Sequence, residues 1–308
     1  MRRRTFLGVI LSLVLVMSFL AFAAEAATYV DTQASGSLTL TYGYDGQPFQ
    51  GMAIRIYRVA RISQYADFEL TGAFSELPVE VNQVKTQEEW RQMASTLSAY
   101  VTAGQIQTDA EGVTGEDGTV TFSSLPLGLY LVEGVRADRE NGYCQFDSFM
   151  ISVPDLNEAD EWVYNVIAKP KSVYQEILLQ EITYNVNKLW KDEGHEHLRP
   201  QSVAIELYRD GELVETVILS AENNWTYSWT TVDDGAVWQA VEAEVPEGYK
   251  VTLEQRENFF FVTNSYDTPA PPPATGDISG IRGYLILMCG AGLGLIVLGI
   301  TGRKGKRV

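Results

Sequence analysis

The stretch YNVNKLW, residues 184–190, alternates like a β-strand but places a lysine on its apolar face. Successive side chains of a strand point to opposite faces, so Lys188 shares one face with Tyr184, Val186 and Trp190. An unpaired ammonium group among large apolar side chains costs free energy. The stretch therefore predicts a strand with one buried face, and it raises the question of what the lysine does there.

Two later stretches repeat this pattern with other polar residues. In VWQAVEAEV, residues 237–245, alternation places Glu242 on the more apolar face of a strand. In FFFVTNSYD, residues 259–267, alternation does the same for Asn264. Lys188, Glu242 and Asn264 are chemically complementary, so we interpret them as one site.

These three residue types allow an amide bond to form between two side chains. The neutral amine of Lys188 would attack the side-chain carbonyl carbon of Asn264, and ammonia would leave. Burial lowers the pKa of a lysine and raises that of a glutamate, so a protonated Glu242 could bind the amide and shuttle protons. Folding supplies the proximity, and each molecule reacts once. The alternative is that the three are exposed polar residues at strand edges.

The segments VNKLWKDEGHEHLRPQSVAIELYRDGELV, NNWTYSW, VEAEVPEGY and FVTNS resemble, in that order, the Cna B-type domain of Gram-positive surface proteins. The resemblance implies a prealbumin-like β-sandwich with an internal isopeptide bond. It implies Lys188 as the lysine, Glu242 as the catalytic acid and Asn264 as the asparagine. Trp238 stands where that family usually has a tyrosine, four residues before the acid.

The strand-like alternation of residues 27–267 predicts an all-β protein made of two tandem prealbumin/Ig-like β-sandwich domains. Short strands with turn signals every 8–12 residues are typical of such sandwiches, and Asp210-Gly211 within QSVAIELYRDGELVETVILS predicts a hairpin. We place the first domain at residues 27–175 and the Cna B-type domain at 176–267. The first contains an inserted helix, TQEEWRQMASTLSAYV, with one apolar face and capping-box spacing between Thr86 and Glu89. We expect this helix to pack across one end of a sandwich.

Both ends of the chain read as targeting segments. Residues 1–26 have the basic start, apolar middle and small-residue end of a secretory signal peptide. The apolar segment at 278–302, which is uncharged from Gly283 to Gly302, is long enough to cross a bilayer, and the basic tail 303–308 would stay in the cytoplasm. The alternatives are an uncleaved anchor at the first end and a plain single-span protein at the second.

The segment before the predicted span carries a short motif within a proline-rich stem at 268–277. Pro272, Pro273, Ala274, Thr275 and Gly276, followed by an apolar span and a basic tail, resemble the Leu-Pro-x-Thr-Gly cell-wall sorting signal of Gram-positive surface proteins. The resemblance implies that a sortase cleaves after the threonine and joins it to a peptidoglycan amine. Pro272 replaces the usual leucine.

The first domain lacks the parts of the bond-forming site. Its lysines are Lys85, Lys169 and Lys171, and none lies in the first predicted strand, so we expect no isopeptide bond there. Its segments SLPLGLYLVEG and EWVYNVIAKPK resemble the N-terminal domain of sortase-assembled pilins. That resemblance implies Lys171 as a candidate acceptor lysine for joining subunits. The alternative is an ordinary exposed lysine between domains.

Composition excludes several other functions. Between the two ends lie 15 basic and 38 acidic residues, and this negative charge opposes nucleic-acid binding. Cys144 is the only cysteine there, so no internal disulfide can form. His195 and His197 lie in a predicted loop and could hold a metal only with further ligands, so we predict no metal site. No motif calls for a cofactor.

These features together predict a structural protein anchored to the wall at the surface of a Gram-positive bacterium. We expect a minor or basal pilus subunit, with sortase, peptidoglycan and other pilin subunits as partners. The main alternative is a solitary adhesin that binds a host or matrix ligand through its first domain. A surface hydrolase is a third class, because a dispersed carboxylate site is compatible with the sequence. Otherwise the only expected chemistry is a single intramolecular reaction.

Overall fold

The computed structural model describes residues 29–266 apart from positions 135, 140 and 158, and the described residues lie in one compact unit. Their structure is mostly β, as predicted, with one α-helix. Within these residues no helix is long and apolar enough to cross a membrane. Four predicted segments lie outside the described residues: the signal peptide 1–26, the stem 268–277, the span 278–302 and the tail 303–308.

The first half, residues 29–176, holds strands β1 to β15, many of them short. Their bounds are β1 Ser35–Thr41, β2 Gly43–Tyr44, β3 Gln47–Pro48, β4 Ala53–Ile62, β5 Phe68–Leu70, β6 Ala110–Val113, β7 Thr119–Pro126, β8 Gly128–Gly134, β9 Ala137–Arg139, β10 Gly142–Phe146, β11 Phe149–Val153, β12 Asp155–Leu156, β13 Trp162–Val163, β14 Asn165–Ala168 and β15 Ser172–Glu176. The helix α1, Gln87–Ala103, lies between β5 and β6, and a 3-10 turn covers Gly72–Phe74.

Two sheets of the first half enclose a core. One sheet has the order β14-β1-β7, with β1 and β14 parallel; the other has the order β11-β8-β4-β5, with β6 also paired to β4. Their facing residues are fully or nearly buried: Leu38, Leu40, Ile54, Ile56, Val120, Phe122, Tyr130, Val132 and Val153. Cys144 is buried in the same core as a free thiol.

The second half, residues 181–266, is a sandwich of two sheets. Its strands are β16 Glu181–Lys191, β17 Ser202–Arg209, β18 Glu212–Ser220, β19 Thr226–Val232, β20 Trp238–Glu242, β21 Lys250–Arg256 and β22 Phe259–Ser265. One sheet has the order β19-β16-β22-β21 and the other β18-β17-β20. The predicted hairpin between β17 and β18 turns at Asp210 and Gly211, both with positive φ (51° and 86°), as the asparagine- or aspartate-glycine hairpin signal requires.

The helix α1 begins where the sequence predicts but packs elsewhere. Thr86 and Glu89 form the predicted capping box, which satisfies backbone donors at the helix start. Instead of covering one end of a sandwich, α1 lies between the β8 and β11 sheet of the first half and strands β20 and β21 of the second. The reason is that α1 buries more than the predicted stripe, including Thr96 and Ala99.

The two halves keep separate sheets but share a hydrophobic core. Among the described residues, strands up to β15 pair with one another, and strands from β16 onward do the same. The core cluster around α1 nevertheless joins Leu129 and Leu131 of the first half to Val251 and Leu253 of the second. The exact domain boundary stays a prediction, since packing across it makes the described chain one unit.

Strands β9, β10, β15 and β21 are among those that were not predicted from the sequence. The sheet β15-β10-β9 brings the residues just before the second half back onto Gly142–Phe146. Strand β21 reads KVTLEQR, in which only Val251 and Leu253 are large apolar residues. The edge of β21 that does not pair with β22 faces α1 rather than another strand. The strand therefore depends on packing against a distant part of the chain, which no local sequence signal reveals.

Candidate functional site

The structure brings Lys188, Glu242 and Asn264 together inside the second-half sandwich. Lys188 lies on β16 and Asn264 on the adjacent parallel strand β22, where Lys188 is in register with Val262. Glu242 lies on β20 in the facing sheet, in register with Ile205. The three polar residues are 4%, 0% and 0% exposed respectively, which agrees with the faces that alternation assigns to them.

Glu242 lies between the other two side chains and contacts both. Its Oε2 is 3.7 Å from Lys188 Nζ, and its Oε1 accepts a hydrogen bond of 3.1 Å from Asn264 Nδ2. Lys188 Nζ also donates to the backbone carbonyls of Leu189, at 3.2 Å, and Val262, at 3.4 Å. One carboxyl group therefore bridges a buried amine and a buried amide.

Two buried oxygens of this site lack a hydrogen-bond partner: Glu242 Oε2 and Asn264 Oδ1. Leaving such atoms unpaired is costly in a folded protein. A half-turn of the Asn264 amide would place Oδ1 toward the carboxyl group of Glu242, and a protonated Glu242 would then donate to it. That arrangement polarises the carbonyl bond that the amine has to attack.

Burial shifts both ionisable groups toward their neutral forms. Loss of water lowers the pKa of Lys188, and the negative charge of Glu242 only partly opposes this. Loss of water likewise raises the pKa of Glu242, against the opposing effect of Lys188. The site thus favours a neutral amine beside a neutral carboxylic acid, which are the forms that nucleophilic attack and proton transfer require.

Four residues surround the lysine end of the site in roles that were not predicted from the sequence. Lys188 Nζ lies 4.1 Å from the ring centroid of Trp190, which places the amine over an aromatic face. Arg199 reaches the same ring at 5.6 Å and makes two hydrogen bonds to Asp192, which also accepts one from the Tyr249 hydroxyl. Trp190 could have been found, because alternation puts it on the face of Lys188; the others depend on loop geometry.

Aromatic side chains pack against the site from the other end of the sandwich. Trp229 stacks on Tyr184 with ring centroids 5.3 Å apart, and it contacts Trp238 at 5.2 Å and Phe260 at 5.8 Å. Trp238, which stands in the place of the tyrosine of similar domains, is itself buried. Trp238 and Phe260 of this cluster lie on β20 and β22, the strands that carry Glu242 and Asn264.

The other predicted residues lie apart from this site. Lys171 is exposed directly before β15, so its amine is accessible. His195 stacks on Tyr266 with centroids 4.6 Å apart, and no cluster of potential metal ligands occurs among the described residues. The sorting-motif residues Pro272, Pro273, Ala274, Thr275 and Gly276 lie outside the described part of the chain.

The first half has a partly buried glutamate of its own but no matching partners. Glu133 on β8 faces α1 rather than the sandwich core, and its Oε1 accepts a hydrogen bond of 2.6 Å from Ser98. Burial raises its pKa as well. The side chains that act on it are those of Ser98, Tyr57 and Arg55, and none of them is a lysine or an asparagine, so it resembles Glu242 in environment only.

Comparison with known proteins identifies one part of the chain. Residues 184–265 match the Cna protein B-type domain family, and this range includes Lys188, Glu242 and Asn264. The collagen adhesin of Staphylococcus aureus is 35% identical over 108 residues, which is 32% of this chain. The chain covers only 9% of that protein's length.

Solved structures of similar proteins align more weakly. The full-length major pilin SpaD of Corynebacterium diphtheriae is 20% identical, with 77% of this chain and 66% of that one covered and a TM-score of 0.32. A single B repeat unit of the collagen-binding protein of Staphylococcus aureus is 16% identical, with 76% and 99% covered and a TM-score of 0.27. By the match to the family model, residues 184–265 of this chain form a Cna protein B-type domain.

Proposed function

We propose that this chain is a structural protein of the Gram-positive cell surface whose second half locks itself with an isopeptide bond between Lys188 and Asn264. The observation that carries the proposal is the position of Glu242, a buried carboxyl group that contacts both reacting side chains. The match of this region to the Cna protein B-type domain supports it.

The reaction needs no outside reagent. The Nζ atom of Lys188 attacks Cγ of Asn264, and a new carbon–nitrogen bond forms. Glu242 takes a proton from the attacking nitrogen and delivers one to Nδ2, which leaves as ammonia when its bond to Cγ breaks. The Glu242 carboxyl group ends as it began, so it acts as a proton relay. Proximity in the folded core replaces the collision that two free groups would need.

The bond would fasten the first strand of the second half to the last. Strands β16 and β22 are already paired in parallel, so the link adds a covalent connection to a hydrogen-bonded one. The segment between the two residues becomes a closed loop, which reduces the entropy of the unfolded chain. Such a lock suits a protein that is pulled from its anchored end.

The anchoring role rests on the sequence motifs together with the similarity to a surface adhesin. We propose that sortase joins Thr275 to peptidoglycan and that the chain is a minor or basal pilus subunit that contacts other pilins. Lys171 is the candidate acceptor amine, and its exposure is compatible with that role. Wall extracts should then contain a detergent-resistant ladder that includes this protein; one discrete band would contradict the pilus assignment.

The isopeptide proposal is tested by the intact mass of the full chain. The mass should be lower than that of the unmodified sequence by one ammonia. Lys188→Ala and Glu242→Ala should each retain the full mass, while Lys191→Ala, which changes an exposed lysine on the same strand, should still lose ammonia. A wild-type mass equal to that of the unmodified sequence would contradict the proposal.

A second function, adhesion through the first half, is favoured by one feature. A cleft of about 490 Å³ lies at the end of the β11-β8-β4-β5 sheet. Its lining is mainly apolar and aromatic and includes Phe68, Trp90, Met150 and Trp162. Apolar clefts of this size are typical of ligand sites. Saturable binding of the full chain to an immobilised matrix protein such as collagen, lost in Met150→Asp, would favour this function; no binding would count against it.

A further inference from the structure

The second-half sandwich has an open side, and a helix of the first half covers it. Strands β20 and β21 are edge strands of its two sheets. The helix α1 packs against both of them. Glu242 is the last residue of β20, so the bond-forming site lies beside this side of the sandwich.

A buried threonine fixes the helix at the level of the reacting lysine. Thr96 of α1 accepts a hydrogen bond of 2.8 Å from the backbone N–H of Leu253 on β21. Leu253 is in register with Val262, and Val262 is in register with Lys188. The helix is thereby attached to the row of residues that crosses the sheet at Lys188.

Tyr100 lies one helical turn beyond Thr96 and therefore on the same side of α1. Its ring packs against the shared core, and its hydroxyl group is buried without a hydrogen-bond partner. Burial and the nearby negative charge of Glu242 raise the pKa of Tyr100, so the phenol keeps its proton and can only donate or accept as a neutral group. Glu242 Oε2 is likewise buried without a hydrogen-bond partner, and its contact with Lys188 Nζ is an ion pair of 3.7 Å.

We propose that α1 belongs to the bond-forming site and that the Tyr100 hydroxyl donates a hydrogen bond to Glu242 Oε2 when the reaction takes place. This inference rests on the isopeptide bond proposed above. With Oε2 held by Tyr100, the acidic proton of Glu242 resides on Oε1 and points to the turned amide of Asn264. The buried hydroxyl of Tyr100 and Glu242 Oε2, which both lack a hydrogen-bond partner, are then paired with each other, and Asn264 Oδ1 accepts from Glu242.

Tyr100 is a positioning residue in this account, because it transfers no proton and forms no bond with the reacting atoms. It selects which oxygen of Glu242 carries the proton. The charged group facing Glu242 from β16 is Lys188, while Asp192 and Arg199 act on that lysine from the end of the strand. Tyr100 is the titratable group that α1 contributes.

The test follows bond formation in the full chain. The protein is made in a short pulse of cell-free translation, transferred to buffers from weakly acidic to weakly alkaline, and sampled for ammonia loss by intact mass. Tyr100→Phe keeps the ring and removes the donor. Tyr42→Phe is the matched control, since Tyr42 also has a buried hydroxyl without a partner but lies in the first-half core.

We expect wild type and Tyr42→Phe to react at the same rate and Tyr100→Phe to react about tenfold more slowly. Loss of a donor that stabilises the ionised carboxylate should also raise the pKa of Glu242 and move the acidic limb of the rate profile to higher pH. That shift separates positioning from a general loss of stability. A Tyr100→Phe rate and profile equal to wild type would overturn the role of Tyr100 alone, whereas a wild type that never loses ammonia would overturn the isopeptide bond itself.

Discussion

Glu242 and Glu133 are both glutamates whose burial raises their pKa, but they have different neighbours. Glu242 points into its sandwich and contacts an amine and an amide; Glu133 points away from its sandwich toward α1 and contacts Ser98. A carboxyl group with a shifted pKa therefore identifies a reactive site only together with a nucleophile and a target.

The largest effect should come from removing the nucleophile. Lys188→Met leaves an apolar chain of similar length in its place and prevents the cross-link, so the unfolding free energy should fall by about 4 kcal/mol. Urea unfolding of the full chain measures this. As a control in the first half, Glu133→Gln should leave the cross-link intact. If Lys188→Met lost ammonia to the same extent as wild type, Lys188 would not be the nucleophile.

The second-largest effect should be the pH dependence of bond formation, which involves Glu242 and not Glu133. The reactive pair of Lys188 and Glu242 holds one proton, and a second proton binds as the pH falls through the lower pKa of the pair. The amine is then charged, so the rate should fall about tenfold per pH unit on the acidic side. Time courses of ammonia loss at several pH values measure it. Glu133→Gln should show the same profile, and a rate independent of pH would argue against a proton relay.

A smaller effect on the unfolding free energy is expected from the contact between α1 of the first half and β21 of the second. Thr96→Val removes the acceptor for the buried N–H of Leu253 and should lower the unfolding free energy by about 1–3 kcal/mol. Thr96→Ser keeps the hydroxyl group and serves as the control, with a smaller loss from the missing methyl group. Thermal unfolding of both variants provides the measurement. Equal stability of Thr96→Val and wild type would mean that this contact between the halves contributes little.

The smallest effect concerns Glu133 itself. Its pKa is raised in the folded state, so the folded protein binds more protons than the unfolded chain and loses stability as the pH rises above the unfolded pKa. Glu133→Gln removes that dependence, and its stability relative to wild type should improve toward neutral pH by about 1 kcal/mol or less. Urea unfolding at acidic and neutral pH checks the sign. A relative stability that does not change with pH would show that burial does not govern this carboxyl group.

The sequence was sufficient to bring Lys188, Glu242 and Asn264 together, because strand alternation assigns a face to each of them. It also predicted the capping box of α1 and the hairpin at Asp210 and Gly211. Each of these signals lies within a few residues of the chain, where backbone geometry and turn chemistry act directly.

The surroundings of the site could not be predicted in the same way. The contact between Thr96 and Leu253 joins residues far apart in sequence, and β21 has too few large apolar residues to stand out. The apolar stripe of α1 predicted one buried face, whereas the helix is buried by both halves. Alternation and amphipathicity predict which face of an element is buried, but not which other element packs against it. The position of Tyr100 beside the site could therefore not be predicted.

The most direct test of the central claim is peptide mapping of the full wild-type chain by mass spectrometry. Proteolysis should yield one branched peptide in which the segment around Lys188 is joined to the segment around Asn264, with a mass lower than their sum by one ammonia. Recovery of the two segments as separate, unmodified peptides, with no linked species, would contradict the claim.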